Sequence, residues 1–175
     1  MLESTLGLFT LRPERPEDAD FLYALFRDHT LPGLAAMPVD DAIKESLLTM
    51  QFRSQTMTYR AQHPDARFDI LERGGSAFGR LIVAETNGVA RVVDYALVPE
   101  SRGAGLGTAV MLRVLDWVAE RCAIVRLSVL WNNDASLRMT RSIGFVEVGN
   151  APPYVLLEWR RDVAGRIAAD RQVRD

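Results

Sequence analysis

Three glycines in alternation, Gly103, Gly105 and Gly107, follow an apolar stretch from Val92 to Val98 and precede a helical pattern that opens near Gly105. Such a turn reaches backbone conformations closed to other residues, and no bulky side chain covers its N–H groups. A helix starting there aims its unpaired donors and the positive end of its dipole into the turn, which suits an anion, above all a phosphate or pyrophosphate. Two familiar phosphate loops do not fit the spelling. A Walker-type loop ends in Gly-Lys-Ser/Thr, whereas Thr108 follows Gly107 and no lysine lies nearby. A dinucleotide fingerprint from Gly103 needs Gly or Ala at position 108 and an acidic strand end about twenty residues on, where the chain reads Cys122-Ala123-Ile124-Val125.

The elements around this turn follow from periodicity and punctuation. Leu6 to Arg12 predicts a first strand ended by Pro13 and Pro16, and Pro16-Glu17-Asp18 opens a helix with Phe21, Leu22, Leu25 and Phe26 on one face. His29-Thr30-Leu31-Pro32-Gly33 predicts a break before a second helix, capped by Asp40 and carrying Ile43, Leu47 and Met50 at helical spacing. Gly74-Gly75 and Asn87-Gly88 spell two hairpin turns, so three antiparallel strands lead into the glycine turn. Leu106, Val110, Val114, Trp117 and Val118 then form a helical stripe. The strand from Ala123 to Leu130 follows that crossover and should lie parallel to the central strand. Asn133 or Asp134 caps a short helix ended by Gly144, and a closing hairpin spans Phe145–Val148 and Tyr154–Trp159. The expectation is one mixed α/β domain over 1–160, a mostly antiparallel sheet of about six or seven strands with flanking helices, and a charged tail over 161–175 that is helical or frayed.

With 175 residues, Lys+Arg 21 and Asp+Glu 23, the net charge is −2 and the basic residues are scattered. No basic stripe points to nucleic acid or an acidic membrane, so a small partner is expected. The single cysteine, Cys122, cannot form an internal disulfide, and His29 and His63 lack metal-ligand spacing, so no metal is expected. No stretch has the apolar length of a membrane span, and the expected location is the cytoplasm.

Arg102-x-x-Gly105-x-Gly107 directly after Ala96-Leu97-Val98-Pro99 resembles the acetyl-CoA signature of the GNAT superfamily of N-acetyltransferases. The stretch from Asn133 to Phe145 is similar to that family's asparagine-led helix closing in Gly-Phe, with one helix and one strand between the blocks. The resemblance implies a GNAT-like sheet splayed between its fourth and fifth strands and acetyl-CoA as co-substrate. It implies that backbone groups of Gly103, Ala104, Gly105, Leu106, Gly107 and Thr108 hold the pyrophosphate, and that Ala96, Leu97 and Val98 hold the pantetheine arm. A backbone N–H near Leu97 would be the oxyanion donor, Asn133 and Ser136 would touch the pantetheine region, and Arg102 would face the phosphates or lie on the surface. The implied acceptor is a primary amine of a small molecule or peptide. Homodimers are common in the family, although no particular residue here supports one.

An alkylammonium has a pKa of about 10 and must lose a proton before it attacks. Asp94, the lone acid in an apolar strand, is the candidate base; the plainer alternatives are a solvent-facing acid or one paired with an arginine. The family's usual general acid is a tyrosine, and Thr140 stands in its place. That departure keeps open a rival reading, a CoA-binding module without catalysis; a nucleotide-binding protein is another.

Overall fold

Residues 2–4, 7–103 and 105–161 are described by the computed structural model. In chain order the elements are β1 (Leu2–Ser4), β2 (Gly7–Pro13), α1 (Ala19–Leu34), α2 (Asp41–Gln62), β3 (Arg67–Arg73), β4 (Ser76–Thr86) and β5 (Val89–Leu97). There follow α3 (Leu106–Ala119), β6 (Ile124–Leu130), α4 (Asp134–Ser142), β7 (Val146–Ala151) and β8 (Tyr154–Arg160). The strands are hydrogen-bonded in the order β1-β2-β3-β4-β5-β6-β8-β7. The mixed α/β fold is as expected, with β1 added at the sheet edge. Residues 162–175, most of the predicted tail, lie outside the described residues.

The chain forms two compact units. The first gathers Gly7–Ile82 and Asp94–Arg102, hence β2, α1, α2, β3, the first part of β4 and the last part of β5. Its core is Phe9, Leu22, Leu25, Leu48, Ile70, Leu71, Phe78, Leu81 and Ile82. β2 and β3 pair antiparallel, with Arg12 opposite Ile70. α1 runs straight through the predicted break at His29–Gly33 and ends at Leu34, two residues past Pro32. Asp40 caps α2 as expected, accepting from the Ile43 N–H at 2.8 Å. The helix nevertheless turns Leu48 inward, fully buried, and leaves Ile43 and Met50 exposed.

A buried ion pair ties β2 to the start of α1. Asp18 accepts from Arg12 at 2.6 and 2.7 Å and from the Arg15 backbone N–H at 2.7 Å. The Arg12 hydrogen bonds outweigh burial and hold the Asp18 pKa below its ordinary value. A depressed carboxylate pKa contributes stability above the unfolded value, about 3.9, and loses it as pH falls through the folded value. Asp18→Asn is therefore expected to cost about 2–3 kcal/mol at neutral pH, and less on acidification below about pH 4, as read from denaturation midpoints.

The second unit gathers Val83–Val93 and the chain from Gly103 on, with α3, β6, α4, β7 and β8. α3 buries Leu106, Val110, Met111, Val114, Leu115 and Val118, each worth about 1.5–3 kcal/mol. β6 alternates strictly, with Val125, Leu127 and Val129 buried. It is parallel to β5, as the helical crossover predicts, and antiparallel to β8 over its whole length. Among the described residues no helix is long and apolar enough to cross a membrane.

Candidate active site

The geometry of β5 begins at its hairpin. Asn87 and Gly88 both have positive φ, the conformation of a two-residue type I′ turn, which sets Thr86 opposite Val89. At the far end the Val98 N–H donates to Phe78 O at 2.9 Å. Between these two pairs β5 carries one more residue than β4, a β-bulge that exchanges the sides to which successive amides point. Near the turn, Gly88 O looks away from β4 and accepts from the Ala123 N–H at 3.1 Å. Beyond the bulge Val98 looks at β4, so Leu97 looks away. The parallel ladder with β6 covers only Val89–Arg91 against Ile124–Arg126. The outward amide of Leu97 lies past its end.

Gly79 on β4 fixes where this segment sits. A Cβ there would stand 2.6 Å from Ala96 O, 2.7 Å from Leu97 Cδ2 and 3.0 Å from Leu71 Cδ1. The outward Leu97 carbonyl is used locally: Arg102 Nε and Nη2 donate to it at 2.9 and 2.7 Å. Arg102 Nη2 also lies 2.9 Å from His29 Nε2. Loss of hydration and the Arg102 cation hold the His29 pKa below its ordinary value. Arg102 is thus folded back on its own turn, neither extended to an anion nor idle on the surface.

Gly103 and Gly105 have φ of 81° and 78°, and Gly105 is the N-cap of α3. That helix has no side-chain cap and no acid in its first turn. Most helices place Ser, Thr, Asp or Asn there; leaving the end bare suits an anion supplied from outside. Gly103 has open space where a Cβ would be. Ala104 lies outside the described residues.

Asp94 is paired with an arginine, the plainer of the alternatives its sequence setting allows. Arg80 on β4 donates to Asp94 Oδ2 from Nε at 2.7 Å and from Nη2 at 2.6 Å, the side chains being 7% and 21% exposed. Neither Arg80 nor Gly79 was among the site residues expected from the sequence. A lone cation in Phe78-Gly79-Arg80-Leu81-Ile82, matching the lone acid of β5, is the signal for the first. A glycine inside a strand pattern, marking close backbone approach, is the signal for the second. Next to Asp94, burial pushes the Tyr95 hydroxyl pKa up, so it stays protonated at neutral pH.

In the second unit Asn133 and Ser136 are brought together by capping, Asn133 Oδ1 accepting from the Ser136 N–H at 3.1 Å. Thr140 is buried, and its hydroxyl donates to Ser136 O at 2.8 Å and Leu137 O at 3.2 Å. Its proton is committed to the helix backbone. Cys122 is buried too, with Sγ 3.8 Å from Glu85 Oε2, and burial followed by that carboxylate raises its pKa. It is an inert packing residue.

The description "Acetyltransferase (GNAT) domain" matches residues 9–146. Comparison by sequence with curated proteins returns no significant match. Among solved structures the chain is similar to the PaiA N-acetyltransferase of Thermoplasma acidophilum in complex with coenzyme A, at 15% identity and TM-score 0.68, covering 87% of this chain and 99% of that one. It is similar to spermidine N-acetyltransferase of Vibrio cholerae in complex with CoA and spermine, at 18% identity and TM-score 0.63, covering 89% and 97%. It is also similar to the ribosomal-protein-S18-alanine N-acetyltransferase of Escherichia coli, at 18% identity and TM-score 0.60, covering 87% and 94%. With the bare N-terminus of α3, the short parallel ladder and a family match across most of its length, the chain belongs to the GNAT acetyltransferase family.

Proposed function

We propose that this protein is a cytoplasmic N-acetyltransferase that moves an acetyl group from acetyl-CoA to a primary amine of a small molecule or peptide, by direct attack in a ternary complex. The observation that carries the reading is the outward amide of Leu97, beyond the β6 ladder and on the strand that leads into the uncapped start of α3. Backbone N–H groups from Gly103 to Thr108 hold the pyrophosphate, and the Ala96-Leu97-Val98 backbone holds the pantetheine arm. Asn133 and Ser136 flank that arm. Arg102 moves from Leu97 O to the phosphates.

In the reaction the amine nitrogen forms a bond to the thioester carbonyl carbon, and the carbon–sulfur bond breaks. The ammonium proton passes to Asp94, directly or through water. The Leu97 N–H stabilises charge developing on the carbonyl oxygen, a contribution of about 3 kcal/mol for one such donor. Coenzyme A leaves as a thiolate with a pKa comparable to that of cysteine, about 8.5, which needs no strong acid. A second reading, a CoA-binding module without turnover, is favoured by the commitment of the Thr140 hydroxyl to Ser136 O.

Thermal melting and thiol release separate the two. CoA is expected to raise the melting temperature while ATP and NAD do not, and acetyl-CoA is expected to release free thiol with at least one member of an amine panel. Stabilisation without thiol release from any amine would select the module, and no stabilisation by CoA would sink both readings.

A further inference from the structure

Arg102, the side chain proposed for the phosphates, is already engaged within the first unit. Its Nε and Nη2 donate to Leu97 O at 2.9 and 2.7 Å, and Nη2 lies 2.9 Å from Nε2 of His29 on α1. A backbone carbonyl has two lone pairs, so these two donors fill the Leu97 oxygen. Neither a guanidinium nor a protonated imidazole offers an acceptor. The contact between Arg102 and His29 is therefore a hydrogen bond only while the ring is neutral, and a protonated ring repels the guanidinium instead.

This arrangement opposes the coenzyme twice. It withholds the guanidinium from an anion, and it closes the Leu97 carbonyl, which belongs to the backbone segment proposed for the pantetheine arm. We infer that His29 is a positioning residue for Arg102: the neutral ring and the Leu97 carbonyl latch the guanidinium in the CoA-free protein, and a proton on His29 or the arrival of CoA opens the latch. The inference rests on the coenzyme-binding reading above and adds a dependence on acidity to it.

The sign of that dependence follows from the charges around the ring. Loss of hydration and the Arg102 cation favour neutral His29, whereas Asp94 of β5, the Leu97 carbonyl and Asp28 of α1 favour the charged ring. Once Arg102 has left for the phosphates, its opposition to protonation is gone, so His29 takes a proton more readily in the CoA complex than in the free protein. A protein that takes up a proton on binding a ligand binds it more tightly in acid. Set against a variant without the ring, CoA affinity is thus expected to rise as pH falls through the imidazole range.

The test is calorimetric titration with CoA at about pH 8 and about pH 5.5, on either side of that range. Three proteins are compared: wild type, His29→Leu, which neither accepts nor titrates, and His29→Gln, whose amide oxygen accepts without titrating. Dividing each Kd by that of His29→Leu at the same pH removes the titration of CoA's own phosphates. The wild-type ratio is expected to be about five at the higher pH and about one at the lower, in line with one charge-assisted hydrogen bond. The His29→Gln ratio is expected to stay at about five throughout. In an Arg102→Ala background, His29→Leu is expected to change CoA affinity less than about twofold. His29 is exposed, so each variant should fold; if His29→Leu does not, His29→Ala replaces it as the reference. A wild-type ratio that does not move with pH, a His29→Gln ratio that falls in acid or starts near one, or an undiminished effect of His29→Leu without Arg102 would each overturn the latch. Failure of CoA to bind any of the proteins would instead overturn the coenzyme-binding reading itself.

Discussion

Asp94→Asn is expected to cut turnover at least tenfold while leaving CoA affinity within about twofold, because a positioned base typically contributes 10²–10⁴-fold. The ion pair with Arg80 gives the same substitution a structural cost. Arg80 is almost wholly buried and loses its counter-charge, so stability should fall by about 2–3 kcal/mol. The two effects are separable by the pH dependence of the rate. Without a base, the residual rate follows the free-amine fraction and climbs about tenfold per pH unit towards the amine pKa near 10. A variant that is merely less stable keeps the wild-type profile at a temperature where it is folded. Unchanged turnover would remove Asp94 from the mechanism.

The other large effect is expected at a residue with no chemistry of its own. Gly79→Ala puts a methyl group 2.6 Å from Ala96 O, a backbone atom that cannot yield without moving β5. Overpacking of this kind costs about 1–3 kcal/mol, and a displacement of about 1 Å in a positioning strand can cost a hundredfold in rate. The expected outcome is a turnover loss of about two orders of magnitude in a protein that still melts cooperatively, accompanied by weaker stabilisation by CoA. Gly33→Ala is the control: its Cβ meets nothing, and its φ is one that any residue adopts. If Gly79→Ala turns over like wild type, the Ala96–Leu97 segment does not set the reaction geometry.

Local signals were legible from the residues alone. Both glycine turns, the bare start of α3, the Asn133 cap and the parallel course of β6 follow from which conformations Gly, Asn and a helical crossover permit. What the spelling hides is anything decided by a partner far along the chain. Asp94 meets Arg80 only because the bulged hairpin sets the two strands in that register, and no spacing rule predicts a bulge. Arg102 has the right position for phosphates, yet the nearest acceptor in the folded chain is the Leu97 carbonyl. α2 shows the same limit. Ile43, Leu47 and Met50 recur at helical spacing, but Leu48 is the fully buried residue once α2 packs against α1, which a single helix cannot reveal. Pro32 reads as a breaker, yet α1 passes through it and ends only two residues on, at Leu34.

The unmatched residue of β5 decides which of two neighbouring amides meets β4. With the same residues paired evenly from the turn, Leu97 would stand opposite Phe78 and its N–H would be used inside the hairpin. The extra residue carries Val98 to that place and turns the Leu97 amide outward. One residue withheld from the ladder is what leaves a backbone donor facing out at the end of the strand.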